Sequence, residues 1–142
     1  MAIATRTLKD TKLESGSGAQ GGKVTVLVNM NDNTTADSVI LDASGLSGHA
    51  NGAKLDITRI WWGLVQGTAD DNTGWASIEF VGSSTDTLAI DLAGTGHYDG
   101  TAGKIENNAT NTSATSGDLK LNAYGVSGFV LIELRKDEAF TA

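Results

Sequence analysis

The stretch Lys23-Val24-Thr25-Val26-Leu27-Val28-Asn29-Met30 sets Val24, Val26 and Val28 at every second position. Successive side chains of a strand point to opposite faces, so this spacing lays three valines on one face of an extended segment. The same period of two recurs down the chain. Leu55 and Ile57 alternate with Asp56 and Thr58 within Lys54–Gln66, a run that also carries Ile60-Trp61-Trp62. Ala76, Ile78 and Phe80 alternate with Ser77 and Glu79, and Leu88, Ile90 and Leu92 with Ala89 and Asp91. Leu119, Leu121 and Ala123 follow within Asp118–Ala123, and Val130, Ile132 and Leu134 within Ser127–Lys136. Val39-Ile40-Leu41 is a short apolar run between Asp37 and Asp42.

Between these runs lie clusters of Gly, Asn, Asp, Ser and Thr, the residues of turns. They fill 43–52, 67–74, 94–103 and 107–117. No segment carries an apolar stripe of period 3.6. Roughly seven or eight short strands separated by turn clusters predict an all-β domain, an antiparallel β-sandwich or barrel, with helix confined to a turn or two.

The 142 residues suffice for one domain with a short arm to spare. Residues 1–22 differ from the rest. Ile3, Leu8 and Leu13 are isolated apolar positions, and Ser15–Gly22 (SGSGAQGG) has the composition of a flexible linker. The expected organisation is an N-terminal arm or edge strand with its linker over 1–22, and a β-sandwich domain over 23–142. The first residues lack the basic-then-apolar layout of a signal peptide, which predicts synthesis in a cytoplasm. On that reading the Asn-x-Ser/Thr matches at Asn33, Asn108 and Asn111 are loop composition. No apolar run reaches the length of a membrane-spanning helix.

The absence of Cys excludes disulfides, thiol nucleophiles and thiolate metal sites, and two His residues make a His-rich metal centre a poor expectation. A net charge of −7 with ten Lys plus Arg disfavours a broad nucleic-acid surface.

Gly16-Ser17-Gly18-Ala19-Gln20-Gly21 matches the dinucleotide fingerprint. It follows a polar segment and precedes a Val-rich strand, where the fingerprint needs a strand before it and a helix after it. Val24 after Gly22-Lys23 also stands where a P-loop needs Ser or Thr. Asn31-Asp32-Asn33 and Asp70-Asp71-Asn72 offer oxygens to calcium, but the twelfth position from Asp70 is Val81, so they read as turns. Glu79 and Asp91 fall on the polar faces of their strands, which predicts solvated acids and not a catalytic pair with Asp86. His49 and His97 stand in glycine-rich loops without a nucleophile motif. The expectation is a non-enzyme with no catalytic, cofactor-binding or metal-ligating residues.

Trp61 and Trp62 are adjacent in a strand, so they cannot both enter one core. Whichever points outward must be covered by a loop, a partner or a ligand such as a sugar ring.

Ile60-Trp61-Trp62-Gly63, Trp75–Phe80, Leu88–Leu92, Gly117–Leu121 and Gly128–Lys136 together resemble the small β-sandwich head decoration or capsid cement proteins of marine and cyanobacterial tailed phages. The resemblance spans roughly residues 54–136 and rests on strand patterning with a few aromatic and glycine positions. It implies a jelly-roll-like fold, symmetric clustering as a homotrimer on the virion surface, the major capsid protein as partner, and no enzymatic activity. The partner-binding residues expected on this reading are Ile3, Leu8 and Leu13 of the arm with Trp61 or Trp62. The alternative is a carbohydrate-binding or receptor-binding β-sandwich module of a phage, with an exposed Trp stacking on a sugar.

Overall fold

A computed structural model describes residues 3–12, 22–67 and 74–141. The chain is all-β. Its strands are β1 (Ala4–Asp10), β2 (Lys23–Leu41), β3 (Leu55–Gln66), β4 (Trp75–Phe80), β5 (Thr87–Ala93), β6 (Thr95–Tyr98) and β7 (Leu119–Lys136). A single 3₁₀ turn at Ala43–Gly45 is the helical content of the described residues, and the Asp42 side chain caps it by accepting from Ser44 N–H.

All pairings are antiparallel, within one seven-stranded sheet of order β1-β2-β7-β3-β6. The long strand β7 is its spine. One edge of β7 pairs with β2 from end to end, and its other edge takes β4 along Leu119–Tyr124 and β3 along Val126–Lys136. In the same way β5 flanks β4 and β6 flanks β3, with Leu64 N–H donating to Gly94 O between them. Four long lines of strand therefore run side by side, with β1 as a short edge.

The lines are interrupted at one level. There β2 carries Asp32 at φ 51°, with register shifts on both sides of Asn33, and β7 carries Gly125 at φ 55°. Such left-handed positions mark β-bulges, which bend a strand without ending it. In β7 the buried side chains change parity across this level: Leu119, Leu121 and Ala123 before it, Val126, Val130, Ile132 and Leu134 after it. Both halves nevertheless feed one core. Val24, Val26, Val28, Leu55, Ile57 and Ile60 come from one side of the bend, and Ile40, Leu41, Ile78, Phe80, Leu92 and Leu121 from the other.

Two connections depart from the expectation. Lys23–Met30 and Ser38–Leu41, expected as separate strands, are one 19-residue strand. Asp118–Ala123 and Ser127–Lys136 likewise fuse into the 18 residues of β7. Residues 94–103, expected as loop, contain β6, and Leu88 of β5 is exposed although its register with Ile90 suggested burial. A register shift opposite Ile78 and Glu79 rotates the start of β5 out of phase with its end.

Within residues 1–22 the chain forms an edge strand. β1 pairs with β2 from Ala4↔Asn29 to Asp10↔Val24. A register shift at Leu8 bulges it, a common way of blunting a sheet edge against further pairing. The linker at 15–21, with its glycine fingerprint, lies outside the described residues, as do Leu13 and Asp70-Asp71-Asn72. No helix among the described residues is long and apolar enough to cross a membrane.

Candidate docking surface

The register settles which tryptophan faces inward. Ile60, Trp62 and Leu64 share the core side of β3; Trp61, Gly63 and Val65 share the outer side. Trp62 packs against the core and its Nε1–H donates to Ala93 O at 2.9 Å, so the polar edge of the indole is satisfied. Its ring lies over Gly96, the residue directly across on β6, where a Cβ would come within 2.7 Å of the ring. Phe129 covers Gly63 in the same manner on the opposite face, and a Cβ there would meet its ring at 2.8 Å. Glycine on one strand thus makes room for an aromatic ring from its neighbour on each side of β3.

Trp61 is half-buried on the outer face, between Leu131 of β7 and His97 of β6, its cross-strand partners. Leu27 of β2 stands across from Leu131, and Arg6 of β1 across from Leu27. The outer face therefore carries an apolar row of Leu27, Leu131 and Trp61. Phe129, 40% exposed, lies one row away on the same face, and Val65, 63% exposed, two rows away. Directly opposite residues and their diagonal neighbours touch on a sheet face, so these side chains form a continuous patch.

The other arm residues are placed as follows. Ile3 is half-buried against the core, and Leu8 is 52% exposed at the β1 bulge. The structure brings Trp61, Leu27, Leu131 and Phe129 together; it does not bring Leu8 or Trp62 to that patch. Leu27, Leu131 and Phe129 are members the sequence reading missed, although their position out of phase with the buried valines and isoleucines was a usable signal. Trp75 stacks on Tyr124 with ring centroids 4.0 Å apart.

Folding gathers one cluster resembling a catalytic set: Ser116, His49 and Asp118. Ser116 is fully buried and its Oγ accepts from Gly52 N–H at 2.8 Å. His49 Nε2 lies 2.8 Å from the Ser116 carbonyl oxygen and 3.4 Å from its Oγ. An imidazole nitrogen facing a carbonyl oxygen bears the proton, so it cannot take one from the hydroxyl. Asp118 Oδ1 accepts from Ala43 N–H at 2.7 Å, and burial first, then the charge of Asp42, pushes its carboxyl up to about 6. The cluster clasps loops. Glu79, expected as solvated, is instead half-buried and accepts from Asn122 Nδ2, while Asp91 is exposed. Among the described residues no three acidic or histidine side chains converge as a metal site.

Comparison with protein-family models, curated proteins and solved structures returns no match to this chain.

Proposed function

We propose that the chain is a non-enzymatic virion structural protein, a capsid decoration or cement subunit that bridges neighbouring major capsid proteins on a phage head. The observation that carries this reading is the apolar row around half-exposed Trp61, held on the outer face of a rigid antiparallel sheet. An assembly protein needs such a fixed surface with a central aromatic anchor, because truncating a few aromatic residues removes most of the binding energy of an interface. Many copies on a symmetric shell then add weak contacts into tight attachment. The continuous long strands and their shared bend support a jelly-roll-like β-sandwich as the finer description of the fold. On this reading the protein is a homotrimer made in the host cytoplasm and displayed on the capsid surface, without cofactor, nucleic acid or membrane.

A density map of intact heads from the phage that carries the gene tests the proposal. The expected result is a β-rich knob at fixed symmetric positions, with the Trp61 face against capsid protein or a neighbouring copy. Absence of the protein from purified heads overturns it.

A second reading, a glycan-binding or receptor-binding phage module, draws on the placement of Trp61 two residues from Arg59 on one outer face, with Glu133 opposite Arg59. An aromatic ring beside hydrogen-bonding side chains suits a sugar. Saturable binding to a glycan array, lost in Trp61→Ala, would favour it over the capsid role.

A further inference from the structure

Beyond the apolar row the outer face becomes charged. A groove of about 380 Å³ lies there, and its lining includes Lys23, Arg59, Lys104 and Arg135 together with Asp99 and Glu133. Four of the ten Lys and Arg residues of a chain with net charge −7 thus converge on one concavity. Their sources are distant in sequence: the first residue of β2, the middle of β3, the loop after β6 and the end of β7.

The arrangement is costly as it stands. Lys23 is directly across from Arg135 in the β2–β7 ladder, and like charges at opposed positions destabilise a sheet. The hydrogen bond and charge of Asp56 hold the Lys104 ammonium above its ordinary value, and the nearby charge of Arg135 opposes them only in part. Carboxylates stand among these cations. Asp56, buried across from Arg135, is taken at 2.8 Å by Lys104 and also accepts from Asn107 N–H. Glu133 stands 3.9 Å from Arg59 Nε, beyond hydrogen-bonding distance, and the Arg59 side chain is 54% exposed. Its planar fork is therefore open to a planar or tetrahedral oxyanion in the bidentate geometry that guanidinium favours.

We infer that the groove between Lys23, Arg59, Lys104 and Arg135 is a binding site for an oxyanion, a carboxylate or a phosphate-type group. The acidic remainder of the molecule repels anions at long range, so the attraction is confined to the groove, within a Debye length of about 10 Å at 0.1 M salt.

The test is an amide-resolved NMR titration of the full chain with sodium phosphate and, separately, sodium acetate, each against sodium chloride at matched ionic strength. The expected result is saturable shifts at Arg59, Gly100, Lys104 and Arg135 with phosphate or acetate and not with chloride. Tighter phosphate binding assigns a phosphate or sulfate group as ligand; tighter acetate binding assigns a carboxylate. The double variant Lys23→Gln/Arg59→Gln, at exposed positions, should weaken binding about tenfold or more with the rest of the spectrum unchanged. Linear, chloride-like drift in the unmodified protein, or identical titration of the variant, overturns the site.

Discussion

Lys136 and Asp10 meet at the inner end of the sheet. The Lys136 ammonium, whose side chain is fully buried, donates to Asp10 Oδ1 at 2.5 Å and to Ser47 O at 2.7 Å, and sits 5.2 Å from the centre of the Phe140 ring. Asp10 in turn accepts from Ser47 N–H at 2.8 Å through Oδ2. This pair fastens edge strand β1 to spine strand β7, which are not neighbours in the sheet.

Removing the acid leaves a buried cation without its countercharge, whereas removing the cation leaves an acid that is 22% exposed and still hydrogen-bonded. Asp10→Ala should therefore destabilise the fold by about 3 kcal/mol and Lys136→Met by no more than about 1 kcal/mol. Urea unfolding of the two variants checks the asymmetry, and Asp10→Ala should also speed proteolysis within residues 4–10. Equal losses would show that the pair is not what holds β1.

The two adjacent tryptophans separate stability from association. Trp62 fills the core side and donates to Ala93 O, so Trp62→Ala should cost about 3 kcal/mol. Trp61→Ala removes a ring from the outer face and should change stability by less than about 1 kcal/mol. Sedimentation should show the unmodified protein as an oligomer and Trp61→Ala shifted towards monomer. An unchanged distribution would remove Trp61 from the interface between copies.

The strands were legible wherever one face is buried, because Val24, Val26 and Val28 or Val130, Ile132 and Leu134 repeat with period two. Their continuity was not. Asn31–Asp37 and the Gly125–Gly128 stretch have turn composition, yet they bend β2 and β7 without ending them. Bulges and turns both use residues tolerant of positive φ, so composition alone cannot tell them apart. The same limit applies to the sites. That one of Trp61 and Trp62 faces out followed from adjacency, but which one required the register. The groove was invisible, because only the topology of β2, β3 and β7 brings residues 23, 59, 104 and 135 together.

Just beyond the bend, the close approach of β7 to β3 can be probed at Gly128. Its φ is +132°, and a Cβ built there would lie 1.9 Å from Gly63 O. That neighbour is backbone of the adjacent strand and cannot swing aside. Gly128→Ala should destabilise by several kcal/mol, on the order of 3 or more, through combined strain and clash. Gly52 also has positive φ, at +93°, but nothing lies within 4 Å of its Cβ position. Gly52→Ala should cost only about 1 kcal/mol. Comparable thermal midpoints for the two variants would show that β7 can relax at Gly128.

Asp118 predicts an unusual sign in the pH dependence of stability. It is 7% exposed, and burial raises its carboxyl to about 6 from an ordinary 3.8. Asp42 adds to the rise, while the hydrogen bond from Ala43 N–H and the charges of His49 and Lys120 oppose it. Between those two values the folded state holds more proton at this site than the unfolded state does. Its contribution to stability therefore falls as pH rises from about 4 to about 6, and above that window the fold carries a buried charge at a cost on the order of 3 kcal/mol. Asp86 acts in the other direction and lower down. Burial pushes its carboxyl up, but hydrogen bonds from Gly82 N–H and Lys120 outweigh it, so its net shift is downward and its contribution is lost on acidification below about pH 4. Asp118→Asn keeps an oxygen for Ala43 N–H and removes the charge. The variant should be more stable than the unmodified protein at pH 7, and the advantage should vanish near pH 4. Urea midpoints collected from pH 4 to pH 7 decide the point: parallel curves for the two proteins would show that Asp118 ionises in the folded chain as it does in water.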